Sequence, residues 1–161
     1  MKLTDPFSRD EIKWRVQRSG FSNGKPWAIV IPYLDARAIQ ERLDNALGSI
    51  NWENRFDPYE KGVICRLTLR LIINDDAWAG GWVTKADGSE YTDIEGFKGA
   101  CSKALVRAAS QFGIGRELYK TPTIYAKFVD KSTKAHYAKI KDKDGKEHHL
   151  YWIPDLPEKR S

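Results

Sequence analysis

The stretch DIEGFKGACSKALVRAASQFGIGRELY, residues 93–119, has the periodicity of a long amphipathic helix. Its apolar residues recur within one arc, which is expected to pack on a sheet: Ile94, Phe97, Cys101, Leu105, Ala108 and Phe112. The opposite arc places small residues in line with two cations: Gly96, Gly99, Lys103, Arg107 and Ser110. Gly113 follows the last turn, where a glycine commonly ends a helix.

The glycines of this polar arc call for an explanation, because glycine destabilises a helix interior by about 1 kcal/mol relative to alanine. Close approach by another backbone, of a neighbouring subunit or of a sugar-phosphate chain, would supply one. The alternative is a plain solvated face, which is the usual explanation of a basic pair such as Lys103 and Arg107. Both explanations stay open at this point, although the glycines favour close approach.

Shorter elements are predicted ahead of the long helix. Ser8 and Glu11 have the spacing of a capping box, which predicts an N-terminal helix. The apolar run Trp27–Ile31 predicts a strand. Asp35 stands where the N-cap of a second helix is expected, and Gly48 ends that helix.

Three segments before the long helix have strand character: Trp52–Tyr59, Gly62–Ile73 and Trp78–Thr84. The second alternates strictly, with one side partly basic: Ile64, Arg66, Thr68 and Arg70. Two or three strands follow Pro122, including a hairpin through Asp144-Gly145. We therefore predict an α+β fold with a β-β-β-α core, in which an antiparallel sheet packs on the long helix, plus N-terminal helices and a C-terminal hairpin. Residues 1–161 are expected to form one domain.

Composition narrows the class of protein. The chain has 161 residues, a net charge of +5 and an isoelectric point of about 9.1, which makes an anionic partner plausible. Cys65 and Cys101 both lie in apolar segments and are expected to be reduced core cysteines, as in intracellular proteins. The sequence has no signal-peptide core and no apolar run of membrane-spanning length. We expect a soluble, cytoplasmic protein with no membrane partner.

Catalytic and cofactor motifs are not supported. GFSNGKP, residues 20–26, is one residue short of a phosphate-binding loop and has Pro26 where the magnesium-binding hydroxyl should stand. His148 and His149 are adjacent, so on a strand they point to opposite faces and cannot chelate one ion together. No set of converging carboxylates or nucleophile with a base can be nominated. We predict no enzyme activity, no cofactor and no metal.

Aromatic and basic residues interleave along the chain. Trp14 and Arg15 lie side by side, Tyr33 ends the first predicted strand, and Arg66 and Arg70 share a strand face. Such interleaving suits single-stranded nucleic acid, whose backbone needs cations and whose bases can stack on rings. The alternative for Trp14 and Tyr33 is packing at the edge of the core.

The order of elements resembles a known family. YLDARAIQERLDNALGSINWENRF (residues 33–56), GVICRLTLRL (62–71) and the stretch 93–119 are similar to the single-strand annealing proteins of the Rad-fifty-two-like family (Rad-fifty-two/Rad-twenty-two and DdrA-like). The resemblance covers Phe7 to Lys120. The shortness of the chain and the absence of a nuclear-targeting run indicate a bacterial or phage source. Residues 121–161 lie outside it and are unassigned, as C-terminal strands and a polar tail.

The resemblance implies a homo-oligomeric ring of about ten subunits, a cyclic assembly, with single-stranded DNA in a groove. Such proteins anneal complementary strands without ATP in homologous recombination and DNA repair, beside an exonuclease or a single-strand-binding protein. Arg15, Tyr33 and Arg107 resemble groove positions, and Lys98 resembles a position on a second, outer DNA path. Val106 and Ser110 stand where eukaryotic family members carry a lysine and an arginine, and Lys103 would restore one of these charges.

The sequence therefore predicts ATP-independent binding and annealing of single-stranded DNA. The residues expected to contact DNA are Arg15, Tyr33, Lys98, Lys103, Arg107, Arg66 and Arg70. Two alternatives stay open: a metal-dependent nucleic-acid-processing enzyme, and an oligomeric protein-interaction module whose basic surface is incidental.

Overall fold

The structure, a computed structural model, describes residues 2–70, 81–93 and 96–156. Strands make up 45% of these residues and helices 23%. The elements in chain order are β1 (Lys13–Ser22), β2 (Lys25–Tyr33), α1 (Ala36–Leu47), β3 (Trp52–Tyr59), β4 (Gly62–Arg70), β5 (Trp82–Glu90), α2 (Gly96–Gln111), a short 3₁₀ helix (Arg116–Lys120), β6 (Ile124–Val129), β7 (His136–Lys141) and β8 (Glu147–Pro154).

The chain divides into two compact units. The first consists of the residues up to Glu11 together with Leu34–Tyr119, and it holds β3, β4, β5 and both α-helices. The second consists of Ile12–Tyr33 and the residues from Lys120 onward, and it holds the other five strands. Segments distant in sequence therefore build each unit, while the single domain expected over residues 1–161 stays a prediction.

The core of the first unit lies between an antiparallel sheet, ordered β3-β4-β5, and α2, which packs on β4 and β5. The strict alternation in β4 explains this arrangement, because every second residue is fully buried: Val63, Cys65, Leu67 and Leu69. The helix buries mostly alanines against them: Ala100, Ala104, Ala108 and Ala109. Such small side chains let the helix backbone lie close to the sheet.

Helix α1 has the boundaries that its capping residues dictate. The Asp35 Oδ1 atom accepts a hydrogen bond from the Ala38 amide at 2.9 Å, and Gly48 ends the helix with φ 83°. The buried Arg42 guanidinium donates to the main-chain carbonyls of Asp5 and Leu3, and it lies 3.8 Å from the Phe7 ring centroid. Arg42 thereby fixes the N-terminal segment against the first unit.

The second unit is a five-stranded antiparallel sheet ordered β1-β2-β6-β8-β7. The sheet is curled, so that its two edge strands β1 and β7 contact each other. Its inner face holds a core of Val30, Ile124 and Trp152, against which Trp14, Val16 and Phe128 pack. The Phe21 and His148 rings meet on this side with their centroids 4.6 Å apart.

The predicted α+β fold class is wrong. The described chain is mostly β, with two antiparallel sheets and two α-helices, and no N-terminal helix is present among its described residues. Glu11 Oε2 does accept a hydrogen bond from the Ser8 amide at 2.8 Å, which is one of the two bonds of a capping box, but no helix follows and Lys13–Ser22 is a strand. The C-terminal strands likewise belong to the larger sheet.

The buried arc of the long helix also differs from the prediction. Phe97 is 56% exposed, while Ala100 and Ala104 are buried instead, so the helix is rotated relative to the predicted arc. Gly113 does end the helix region, with φ 91°, as predicted. The T-x-x-E spacing of Thr92 and Glu95 predicts the start of the long helix, but Glu95 lies outside the described residues. Ile94, the end of the Gly62–Ile73 strand and the start of the Trp78–Thr84 strand also lie outside them.

Candidate nucleic-acid interface

The predicted DNA-binding residues fall into three groups on different elements. Arg15 and Tyr33 lie in the five-stranded sheet of the second unit. Lys98, Lys103 and Arg107 lie on α2, and the remaining two cations, Arg66 and Arg70, lie on β4; both elements belong to the first unit. Each group is best judged by what its side chains contact.

Arg15 and Tyr33 form a cation–aromatic pair on neighbouring strands. The Arg15 guanidinium carbon lies 5.8 Å from the Tyr33 ring centroid, and the ring is 36% exposed. The strand register puts Arg15 opposite Ile31, on the same face as Tyr33. Trp14 points to the other side and packs on the core. The core-packing alternative thus holds for Trp14, whereas Tyr33 presents its ring to solvent beside a cation.

Arg107 is paired within the protein. Its Nε atom donates to Asp87 Oδ1 at 3.0 Å, and its terminal nitrogen lies 2.9 Å from the same oxygen. The other carboxylate oxygen accepts from Gln111 Nε2 at 3.3 Å. Lys85 lies beside this group, donating to the Gln111 carbonyl at 2.8 Å with its ammonium 4.9 Å from the Phe112 ring centroid. These contacts join α2 to β5, so a phosphate at Arg107 would compete with Asp87.

The basic face of β4 is likewise partly neutralised. Arg66 Nε lies 2.7 Å from Asp57 Oδ2, and Arg55 pairs with the same carboxylate at 3.0 Å. The hydrogen bond from Arg66 is the main reason that the pKa of Asp57 is lowered from its ordinary value. Arg70 donates to Asn51 Oδ1 at 3.3 Å. This face is therefore a mixed ion network and not a purely cationic strip.

Lys98 stands at a shallow groove of about 430 Å³ between α1, α2 and β3. The exposed Phe97 ring and the half-buried Cys101 line the same groove. Lys103 is half-buried one turn further along α2. Burial raises the pKa of the Cys101 thiol, so this cysteine is a poor nucleophile at neutral pH.

The glycine at the start of α2 has a local explanation. Gly96 adopts φ 43°, a conformation that other residues rarely take, and an added Cβ there would meet nothing within 4 Å. Backbone conformation alone therefore accounts for this glycine. The proposed approach of another backbone along the polar arc stays a prediction.

The histidines of the second unit make local contacts. His148 Nε2 lies 2.8 Å from Asp142 Oδ2, while the His149 ring bonds to the Tyr137 hydroxyl. Within the described ranges no three His, Cys, Asp or Glu side chains are placed to hold a metal ion. Among the same residues, no helix has both the length and the apolar character needed to cross a membrane.

Most of the chain matches the model of one protein family. A family model described as the Rad52/22 family double-strand break repair protein matches residues 1–137. The chain belongs to the Rad52/22 family. This confirms the resemblance recognised in the sequence, and the match extends past the expected end at Lys120 into β7. Strand β8 lies beyond the Rad52/22 match.

Two relatives carry the name Single-stranded DNA-binding protein DdrA. The protein from Deinococcus radiodurans is 29% identical over 167 residues, covering 98% of this chain and 68% of the relative. The protein from Deinococcus deserti is 30% identical over 144 residues, covering 81% of this chain and 64% of the relative. The chain thus spans about two thirds of the length of these two relatives. No solved structure matches it significantly.

Sequence reasoning missed the carboxylates that face the predicted cations. Asp57 and Asp87 were not singled out, although each lies on a strand next to the partner's element. It also missed the exposed tyrosines of the five-stranded sheet beyond Tyr33, which are Tyr125 and Tyr137. The alternation of polar and aromatic residues in β6 to β8 is the signal that could have found them.

Proposed function

We propose that this chain binds single-stranded DNA and anneals complementary strands without ATP, in homologous recombination and DNA repair. The observation that carries the proposal is membership of the Rad52/22 family, whose description is double-strand break repair. The name of the two DdrA relatives supports single-stranded DNA as the ligand. The chemistry is positioning: cations neutralise phosphates and rings hold bases, with no covalent step.

The Arg15–Tyr33 pair is the arrangement that best fits this function. A guanidinium beside an exposed ring can contact a phosphate while the adjoining base stacks on the tyrosine. Arg107, Arg66 and Arg70 contribute less in this proposal, because the first two are already paired with carboxylates and the third bonds to Asn51. Lys98 and Lys103 complete the proposed contacts on α2.

The finer features of the proposal concern assembly. We place the chain in a cytoplasmic homo-oligomeric ring of about ten copies, a cyclic assembly built by one repeated heterologous interface. An exonuclease or a single-strand-binding protein is the proposed partner that supplies or occupies the single strands. Sedimentation and native mass measurements test the number of copies and the protein partner independently of the DNA assays.

A strand-annealing assay tests the function directly. Two complementary oligonucleotides, one of them labelled, are mixed with protein without ATP or metal, and duplex formation is followed. We expect wild type to accelerate annealing and an Arg15→Ala/Tyr33→Ala variant to be slower. Arg37→Ala, an exposed arginine on α1, is the matched control and should behave as wild type. Annealing no faster than that of the bare oligonucleotides would reject the proposal.

A further inference from the structure

The positive charge of the chain is concentrated in one of its two units. By sequence, Ile12–Tyr33 and the residues from Lys120 onward carry fourteen lysines and arginines against six aspartates and glutamates, a net charge of +8. The other unit carries thirteen against sixteen, a net charge of −3. The unit that contains the five-stranded sheet therefore accounts for the whole basic excess, and it is the unit that attracts a polyanion.

The outward face of this sheet is rich in aromatic residues. The register places Ile29 opposite Tyr125, Val129 opposite Tyr151, and Tyr151 opposite Tyr137. Because paired residues share a face and alternate residues of a strand do too, these side chains lie on the face that also bears Arg15 and Tyr33. The core residues Val30, Ile124 and Trp152 occupy the opposite face. The tyrosines on the outer face therefore do not pack in the core.

Three rings on β7 and β8 form a cluster on this face. The Tyr137 and Tyr151 centroids are 5.6 Å apart, and the Tyr137 and His149 centroids are 5.8 Å apart. The Tyr137 hydroxyl bonds to His149 Nδ1, which fixes the orientation of its ring. Tyr137 is nevertheless 48% exposed. The cluster, defined here as Tyr137, Tyr151 and His149, presents an ordered aromatic surface to solvent.

Cations stand around the aromatic cluster. The Lys131 ammonium lies 6.0 Å from the Tyr151 ring centroid, and the exposed Lys127 shares the face from β6. Lys139, next to His149 in the register, pairs with Glu147 at 3.1 Å. A surface built only to pack against a protein would gain little from lysines beside its rings. Rings flanked by lysines fit the two parts of a single strand, its bases and its phosphates.

We propose that the aromatic cluster is a stacking platform for bases of single-stranded DNA, with Lys127 and Lys131 contacting its phosphates. This deepens the proposed function and rests on it, since it adds a second contact to the Arg15–Tyr33 pair on the same sheet face. Strand β8, which supplies two of the three rings, lies beyond the Rad52/22 match. The platform is therefore a feature of this chain's C-terminal strands.

The test compares two oligonucleotides of equal length and charge, one of thymidines and one without bases. Binding of each to the full chain is measured by fluorescence anisotropy at one salt concentration. We expect Tyr137→Ala to weaken binding of the thymidine strand roughly 5-fold to 140-fold, the range of one lost base stack. Binding of the base-free strand should not change. Tyr137→Phe keeps the ring and should restore most of the affinity.

Tyr119→Ala is the matched control, because Tyr119 is 60% exposed and lies outside this sheet. Equal losses on both oligonucleotides, no loss on either, or a Tyr137→Phe variant as weak as Tyr137→Ala would each overturn the platform. If the proposed function itself is wrong, wild type will not bind the thymidine strand, and this result is distinct from a failure of the platform alone. Circular dichroism of each variant confirms that the sheet is intact.

Discussion

The pairing of Arg107 with Asp87 makes a prediction about salt dependence. Asp87→Asn removes the negative charge that Arg107 faces at 2.9 Å but keeps an oxygen that can accept the hydrogen bond. If Arg107 contacts DNA as the resemblance implies, the substitution leaves its full charge for a phosphate. Affinity for single-stranded DNA should therefore rise and become more sensitive to salt.

The size of the effect follows from counterion release. One additional phosphate contact on a single strand steepens the plot of log affinity against log salt by about 0.7, which is roughly five-fold in affinity at 0.1 M salt. The cost in stability should be about 1–2 kcal/mol, because Arg107 is half-exposed whereas Asp87 is only 20% exposed, and asparagine keeps only one of the two oxygens that accept from Arg107 and Gln111. The measurement is a series of anisotropy titrations between 0.05 and 0.3 M salt, roughly the range in which such slopes are linear.

Two controls separate local release from a general charge effect. Asp10→Asn makes the same change in net charge at an exposed position of the N-terminal segment, and its slope should match that of wild type. Adding Arg107→Ala to Asp87→Asn should abolish the gain. An unchanged slope for Asp87→Asn, or an equal change for Asp10→Asn, would refute the assignment of Arg107 to the DNA path.

Three further predictions concern stability and are checked by urea unfolding. Gly62→Ala should cost about 1–3 kcal/mol, because its Cβ would lie 2.3 Å from the Ser89 carbonyl oxygen, whereas Gly81→Ala, with open space, should be nearly neutral. Asp35→Ala should cost about 1 kcal/mol by removing the cap of α1, and an equal loss in Asp35→Asn would contradict that reason. Burial raises the pKa of Cys65 to about 12 from 9.0, so the folded chain keeps a proton that the unfolded chain loses. Stability should therefore fall above pH 9 in wild type, and less so in Cys65→Ala; parallel curves would exclude the thiol as the cause.

The elements that the sequence predicted best are those with strong local signals. Strand β4 keeps a strict alternation and is buried on one side throughout, and Asp35 caps α1 as its position indicates. Both signals depend only on neighbouring residues, and no distant contact opposes them. The same holds for Gly113 at the end of the long helix region.

The N-terminal strand was mistaken for a helix for a physical reason. A bulge between Val16 and Arg18 shifts the register of β1, so its apolar residues do not keep a period of two. The capping-box spacing of Ser8 and Glu11 therefore predicts a helix more strongly than the interrupted apolar pattern of β1 predicts a strand. The turn Asn23-Gly24, with φ 51° and 74°, is a hairpin signal that identifies β1 and β2 together.

The proposed DNA-binding face is harder to predict from sequence, because charge pairing depends on how strands and helices pack. Asp87 is 20 residues from Arg107 and Asp57 is nine residues from Arg66, so neither pair follows from helical or strand spacing alone. Once these carboxylates are counted, the first unit carries no basic excess, and the excess of cations lies in the unit that holds the five-stranded sheet. Affinity for a polyanion depends on the local excess of charge, so the net +5 of the whole chain understates what the second unit offers. Variants on the outer face of the five-stranded sheet should therefore change DNA binding more than variants at paired arginines.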